Sequence, residues 1–120
     1  MELTNAIARA HGVTLAFREL ANDAINQGWL PKTMATVMSG AAKQTALELG
    51  RQLVKTGSEI SPHRAKKLKN VCADLEALGD LAGLVAQCHF TEKNTMQLAL
   101  VLGYTAERTA DILGRLEDAH

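Results

Sequence analysis

The chain has 120 residues, which is the length of one ordinary domain. Lysine and arginine together number 13, as do aspartate and glutamate, so the formal net charge is zero. This balance excludes a generally cationic nucleic-acid-binding protein and an acidic solvating tail. Hydrophobic residues make up 47% of the chain, which argues against disorder. They are mostly alanine and leucine, and aromatic residues make up only 3%, so the composition favours helices over a β-sandwich.

The first half of the chain predicts two long helices. Apolar residues recur at helical spacing from about Glu2 to Gln27 and again from Pro31 to Thr56. Gly28 follows the first segment and Gly57 follows the second, and glycine is typical just beyond the end of a helix. We therefore expect two helices joined by a short connection.

A third helix is predicted from Pro62 to about Cys88. Ser61 is a favourable N-cap, and proline is common at the first helical position. Cys72 and Cys88 both fall in this helix, sixteen residues and therefore about 24 Å apart, which is too far for a disulfide. We expect both cysteines to be reduced thiols.

The last helical stretch is predicted to break at Gly103. Thr91 is a candidate cap for its start, and Gly103 stands where a left-handed residue would end a helix. Thr105 can then cap a further helix. The pattern predicts helices over 92–102 and 106–118, joined by a tight turn.

Together these elements predict a single all-α domain over 1–120. We expect an up-and-down helical bundle of four to five helices with short loops. The amino-terminal segment has no apolar block typical of a signal peptide, and no apolar stretch approaches the length of a membrane span. We therefore expect a cytoplasmic protein of bacterial or phage type, with no membrane partner.

Basic residues are concentrated in the middle of the chain. The cluster consists of Arg51, Lys55, Arg64, Lys66, Lys67 and Lys69. Four of these cations lie in the first two turns of the third helix, where the helix dipole disfavours each by about 0.3–1 kcal/mol. One interpretation is a patch that binds an acidic protein partner or a phosphate backbone. The other is an ordinary solvated surface.

The carboxy-terminal half carries more apolar surface than one helix face can bury. The residues concerned are Leu81, Leu84, Leu98, Val101 and Leu102. A helix that is apolar on all sides must be covered on all sides, either by its own chain or by a partner. A symmetric homodimer is the commonest such partner, so we expect these residues to mediate self-association.

The segment from about 97 to 113 resembles the helix-turn-helix pattern of bacterial regulators. The residues that match that pattern are Ala99, Leu102, Gly103, Thr105 and Leu113, with Thr109 where valine or isoleucine is usual. The resemblance implies that the second helix would enter the major groove of DNA. Its exposed side would present Glu107 and Asp111, and no side chain suited to reading guanine or adenine. Carboxylates also repel phosphates, so direct DNA recognition by this helix is not favoured.

No constellation of residues supports catalysis. Cys88 and His89 are neighbours, so on a helix they point about 100° apart and cannot share a metal. We expect no catalytic residue, no metal and no cofactor. The sequence favours a small non-catalytic protein that acts by protein–protein interaction, as an adaptor, inhibitor or accessory regulator, and that self-associates. The alternative is a helix-turn-helix transcriptional regulator whose basic residues over 51–69 bind phosphates.

Overall fold

The computed structural model describes residues 2–28, 30–87 and 92–118. These residues form four long helices and no strand, so the all-α prediction is confirmed. The helices are α1 (Glu2–Gln27), α2 (Lys32–Thr56), α3 (Pro62–Gln87) and α4 (Glu92–Asp118). None of them is long and apolar enough to cross a membrane.

The four helices form a bundle in which each helix packs against two neighbours. α1 lies against α2 and α4, and α3 also lies against α2 and α4. The contacts between α1 and α4 and between α2 and α3 are the most extensive. The bundle measures 47 × 22 × 19 Å, with the long dimension set by helices of 25 to 27 residues.

The helix ends follow the local signals closely. Gly28 has a φ of 82°, and its N–H donates to the Ala24 carbonyl over 2.8 Å, so it ends α1 as expected. Ser61 caps α3, since its Oγ accepts the Arg64 N–H at 3.2 Å. Pro31 is the N-cap residue of α2, so the helix begins at Lys32, one residue after the predicted start. The predicted cap Thr91 lies outside the described residues, as does Cys88.

The predicted break at Gly103 is wrong, because α4 continues through it from Glu92 to Asp118. Gly103 instead faces α1, where a Cβ atom would lie 3.2 Å from the Cβ of Ala21. The glycine therefore allows two helices to approach closely, and no turn forms there. The described part of the chain accordingly forms four helices.

The core consists of two stacked clusters along the bundle axis. One is built on Ile7, Leu49 and Leu75, and the other on Phe17 and Leu78, with many alanines between the helices. Small residues matter most where α2 meets α3. A Cβ atom on Gly79 would lie 3.1 Å from the carbonyl oxygen of Ser39, so this interface excludes a larger residue.

Candidate interaction surfaces

The basic residues of the cluster gather at one end of the bundle. α2 and α3 are antiparallel neighbours, since Ser39 contacts Gly79 near one end of the pair while Gly50 and Cys72 line one groove further along. The carboxyl end of α2 therefore lies beside the amino end of α3. We call the exposed members the basic end: Arg51, Lys55, Lys66, Lys67 and Lys69.

Two members of the basic end have weak acidic partners. Arg51 lies 3.8 Å from Glu48 on the same helix, and Lys55 lies 4.0 Å from Glu2 of α1. Both basic side chains are more than 60% exposed, so each pair contributes about 0–1 kcal/mol to stability. These pairs leave the cations available for other partners.

The three lysines of the basic end lie on two faces of α3. None of them forms an ion pair with any described residue. Lys69 lies one heptad before Glu76, which lines the groove beside α2. Lys67 lies one heptad before Asp74, which contacts Arg108 of α4. Lys67 is therefore turned away from α2.

Arg64 differs from the rest of the predicted cluster because it is partly buried. Its Nε atom is buried and has no hydrogen-bond partner among the described residues. It lines a cavity of about 330 Å³ at the end of the bundle, together with Gln52 and Ile60. Arg64 is therefore part of the packing between helices at this end of the bundle, and it contributes little to the exposed surface.

The predicted self-association residues separate into three groups. Leu102 is fully buried, so its place on an association surface is wrong: it points from α4 into the core. Leu81 and Leu98 are partly buried against the same core cluster. Leu84 and Val101 are exposed, as the prediction requires.

The exposed apolar surface of α4 extends beyond the predicted residues. Leu100, Val101 and Tyr104 have exposed fractions of 57%, 50% and 70%, and they lie within one turn of each other. We call these three residues the α4 patch. It borders a cleft of about 540 Å³ between α1 and α4, lined by Arg18, Glu19, Asn22, Ile25, Leu100, Gly103, Tyr104 and Glu107.

A second apolar surface lies on α2, outside the residues predicted to mediate self-association. Leu47 and Val54 are 52% and 85% exposed. They flank a groove of about 570 Å³ between α2 and α3, whose wall includes Gly50 and Glu76. Their spacing of seven residues was the available signal, because it places two apolar residues on one face.

Cys72 also lines this groove. Burial raises the pKa of the Cys72 thiol, and the nearby carboxylate of Glu76 raises it further. The thiol is therefore held in its neutral form, as expected for a structural cysteine.

The residues that resemble a helix-turn-helix lie along the continuous helix α4. Ala99, Thr109 and Leu113 are buried, so they face the bundle core. The Thr109 hydroxyl lies 3.2 Å from Oδ2 of Asp74, and Nη2 of Arg108 lies 3.3 Å from Oδ1 of the same carboxylate. These contacts join α4 to α3 in the part of α4 that follows Gly103.

Within the described part of the chain, no group of three histidine, cysteine or acidic residues is placed to hold a metal ion. Comparisons with protein-family models, with curated proteins and with solved structures found no match.

Proposed function

We propose that the protein is a non-catalytic interaction protein, an adaptor, inhibitor or accessory regulator, that binds a partner protein through the α4 patch. The observation that supports this most directly is the exposure of three large apolar side chains on one turn of α4. Single exposed apolar residues are normal on protein surfaces, whereas contiguous ones mark interaction sites.

The composition of the α4 patch suits a protein interface. Tyr104 combines a large apolar ring with a hydroxyl group, and tyrosine is enriched among residues that dominate binding energy. Leu100 and Val101 add apolar area, worth about 25 cal/mol per Å² that a partner covers. The adjacent cleft supplies charges of both signs, Arg18 and Glu107, as a polar rim.

The inner face of α4 supports this patch rigidly. Ala99, Leu102 and Ala106 are buried against the other helices, and Gly103 brings α4 close to α1. A partner would therefore meet a preformed surface, which reduces the entropy lost on binding. Substitutions on the outer face leave the inner contacts intact.

Site-specific photo-crosslinking in the native host tests this proposal. A photoreactive amino acid at position 104 should capture a discrete protein, and the same amino acid at Gln44, an exposed residue of α2, should not. Leu100→Glu should abolish the capture while the circular dichroism spectrum is unchanged. Identical cross-links from both positions, or none from position 104, would refute the proposal.

A second candidate function is binding of a nucleic-acid backbone by the basic end. The observation that favours it is the exposure of Lys66, Lys67 and Lys69 without an acidic partner among the described residues. Gel shifts on random duplex DNA at low salt provide the test. Lys66→Glu and Lys67→Glu should each weaken binding and reduce the salt slope by about one. Absence of binding at low salt would remove this candidate.

A further inference from the structure

We propose that the outer face of α2 and α3 binds a second copy of this chain, in an antiparallel symmetric dimer that pairs Lys66 and Lys69 of one copy with Glu76 and Asp80 of the other. This face is separate from the α4 patch, so the inference goes beyond the proposed function. The basic cluster implies an acidic partner, and we identify that partner as a second copy of this chain. The proposed contact face consists of five exposed positions of α3 together with Leu47 and Val54 of α2.

Charge along the outer face of α3 changes sign from one end to the other. Lys66 and Lys69 lie towards the amino end, and Glu76 and Asp80 lie further along. All four residues are exposed, and Ala73 lies between the two pairs. The face therefore has a basic half and an acidic half with a small apolar residue between them.

A two-fold axis through Ala73, perpendicular to α3, places the basic half of the face against the acidic half of the same face in a second copy. Lys66 and Asp80 each lie seven residues from Ala73, about 10.5 Å along the helix. Lys69 lies four residues from Ala73 and Glu76 lies three residues from it, so their distances along the helix differ by about 1.5 Å. An antiparallel copy of α3 would thus place lysines beside carboxylates at both ends of the contact. Such an isologous contact uses the same patch twice.

The apolar residues of α2 fit the same axis. Leu47 and Val54 lie three to four residues on either side of Gly50 and Arg51, so the axis would bring Leu47 of one copy beside Val54 of the other. Gly50 and Arg51 line the same groove as Cys72 and Glu76, so the centre of the α2 face lies alongside the middle of α3. The apolar spacing on α2 is therefore compatible with an axis that passes close to Ala73.

The centre of the face allows close approach. Gly50 and Ala73 have little or no side chain, so the helices of two copies can come near each other there. The long dimension of the bundle is 47 Å and its width is 22 Å. A face of this size accommodates the roughly 800 Å² per partner that a stable dimer buries.

One intramolecular ion pair competes with the proposed contact. Nζ of Lys43 lies 3.1 Å from Oδ1 of Asp80, but both side chains are more than half exposed. Such a pair contributes about 0–1 kcal/mol, and the carboxylate can accept a second cation. Glu76 forms no ion pair with any described residue, so it is the stronger acidic contact.

Sedimentation equilibrium across a concentration series tests the dimer and its location. We expect a dimer for the native chain, a monomer for Val54→Glu and a dimer for Leu100→Glu. A monomer at all concentrations would overturn the inference and leave the proposed function intact. A dimer lost in Leu100→Glu and kept in Val54→Glu would also overturn it, because the contact would then lie on α4.

Charge exchange tests the pairing itself. The all-acidic variant, Lys66→Glu with Lys69→Glu, and the all-basic variant, Glu76→Lys with Asp80→Lys, should each weaken the dimer by about tenfold or more at low salt, since each change occurs twice in a symmetric contact. A mixture of the two variants should form a heterodimer. Lys67→Glu is the matched control and should leave the dissociation constant unchanged. Failure of the mixture to associate would overturn the pairing.

Cysteine cross-linking tests the axis. In a chain whose native cysteines are replaced by alanine, Ala73→Cys should form a disulfide-linked dimer on oxidation. Ala77→Cys is one turn away on the same helix. The sulfurs of the two copies would then be about 12 Å apart along the helix axis, and they should not react. Equal cross-linking of the two variants, or cross-linking of Ala77→Cys alone, would overturn the proposed axis.

Discussion

The interface between α2 and α3 depends on the absence of a side chain at Gly79, and Gly79→Ala tests this directly. The added Cβ would lie 3.0 Å from Cγ of Lys43 and 3.1 Å from the carbonyl oxygen of Ser39. The lysine side chain can move, but the backbone oxygen cannot move without separating the helices. Separation would also stretch the hydrogen bond that Ser39 Oγ donates to the Gly79 carbonyl over 2.6 Å.

Two opposing contributions decide whether this substitution raises or lowers the free energy of unfolding. Alanine is favoured over glycine in a helix by about 1 kcal/mol, and overpacking costs about 1–3 kcal/mol. We expect a net loss of about 1 kcal/mol in the free energy of unfolding, equivalent to a fall of about 4 °C or more in Tm. Urea and thermal denaturation followed by circular dichroism measure both quantities.

Gly40→Ala is the matched control on the same helix pair. No atom lies within 4 Å of the Cβ that it would add, and the residue is exposed in the interior of α2. Helix propensity then acts alone, and we expect a gain of about 0.5–1 kcal/mol. If Gly79→Ala stabilised the chain as much as Gly40→Ala does, the close approach of α2 and α3 would be refuted.

Three further predictions follow from buried and partly buried groups. Phe17 is fully buried, so Phe17→Ala should cost about 3–5 kcal/mol of unfolding free energy in urea melts, and a loss below 1 kcal/mol would contradict its core position. Asp74→Ala removes the acceptor of Arg108 and should cost about 1 kcal/mol in the same assay, more than Asp80→Ala at the exposed pair. Burial and Glu76 raise the pKa of the Cys72 thiol. In a chain without the other cysteine, alkylation of Cys72 should therefore reach half its maximal rate at a higher pH than alkylation of a free thiol does. Glu76→Gln should lower that pH, and no change would contradict the carboxylate's part in the shift.

The raised pKa of Cys72 also predicts how stability depends on pH. Because the folded-state pKa lies above the unfolded value, the folded chain retains the proton more strongly. The resulting stability is fully present below the unfolded pKa and is lost as pH rises through the folded pKa. Urea melts at neutral and alkaline pH should show a smaller decline for Cys72→Ala, and an equal decline would contradict this linkage.

The elements that local chemistry controls can be predicted from the order of the residues. Gly28 and Ser61 act within a few residues of their own positions, so the carboxyl end of α1 and the start of α3 follow from backbone conformation and capping. The alanine- and leucine-rich composition likewise determined that every described element is a helix.

The role of Gly103 depends on the packing of α4 against α1. A left-handed helix end and a close approach between two helices both favour glycine, and the residues next to Gly103 do not distinguish them. Ala21 lies across the interface, 82 residues away in sequence, and the close approach of α1 and α4 at this point leaves no turn at Gly103. The same packing decides that Leu102 is buried while Leu100 is exposed.

The exposed surfaces also required the tertiary structure. Helical spacing gives the angle between two side chains on one helix, but it does not say which face meets a neighbouring helix. Leu47 and Val54 share a face by that spacing, yet only the position of α3 shows that the face is open. Sequence therefore determined the helices and their stripes, and the packing of four helices around one core decided which stripes remain free to bind.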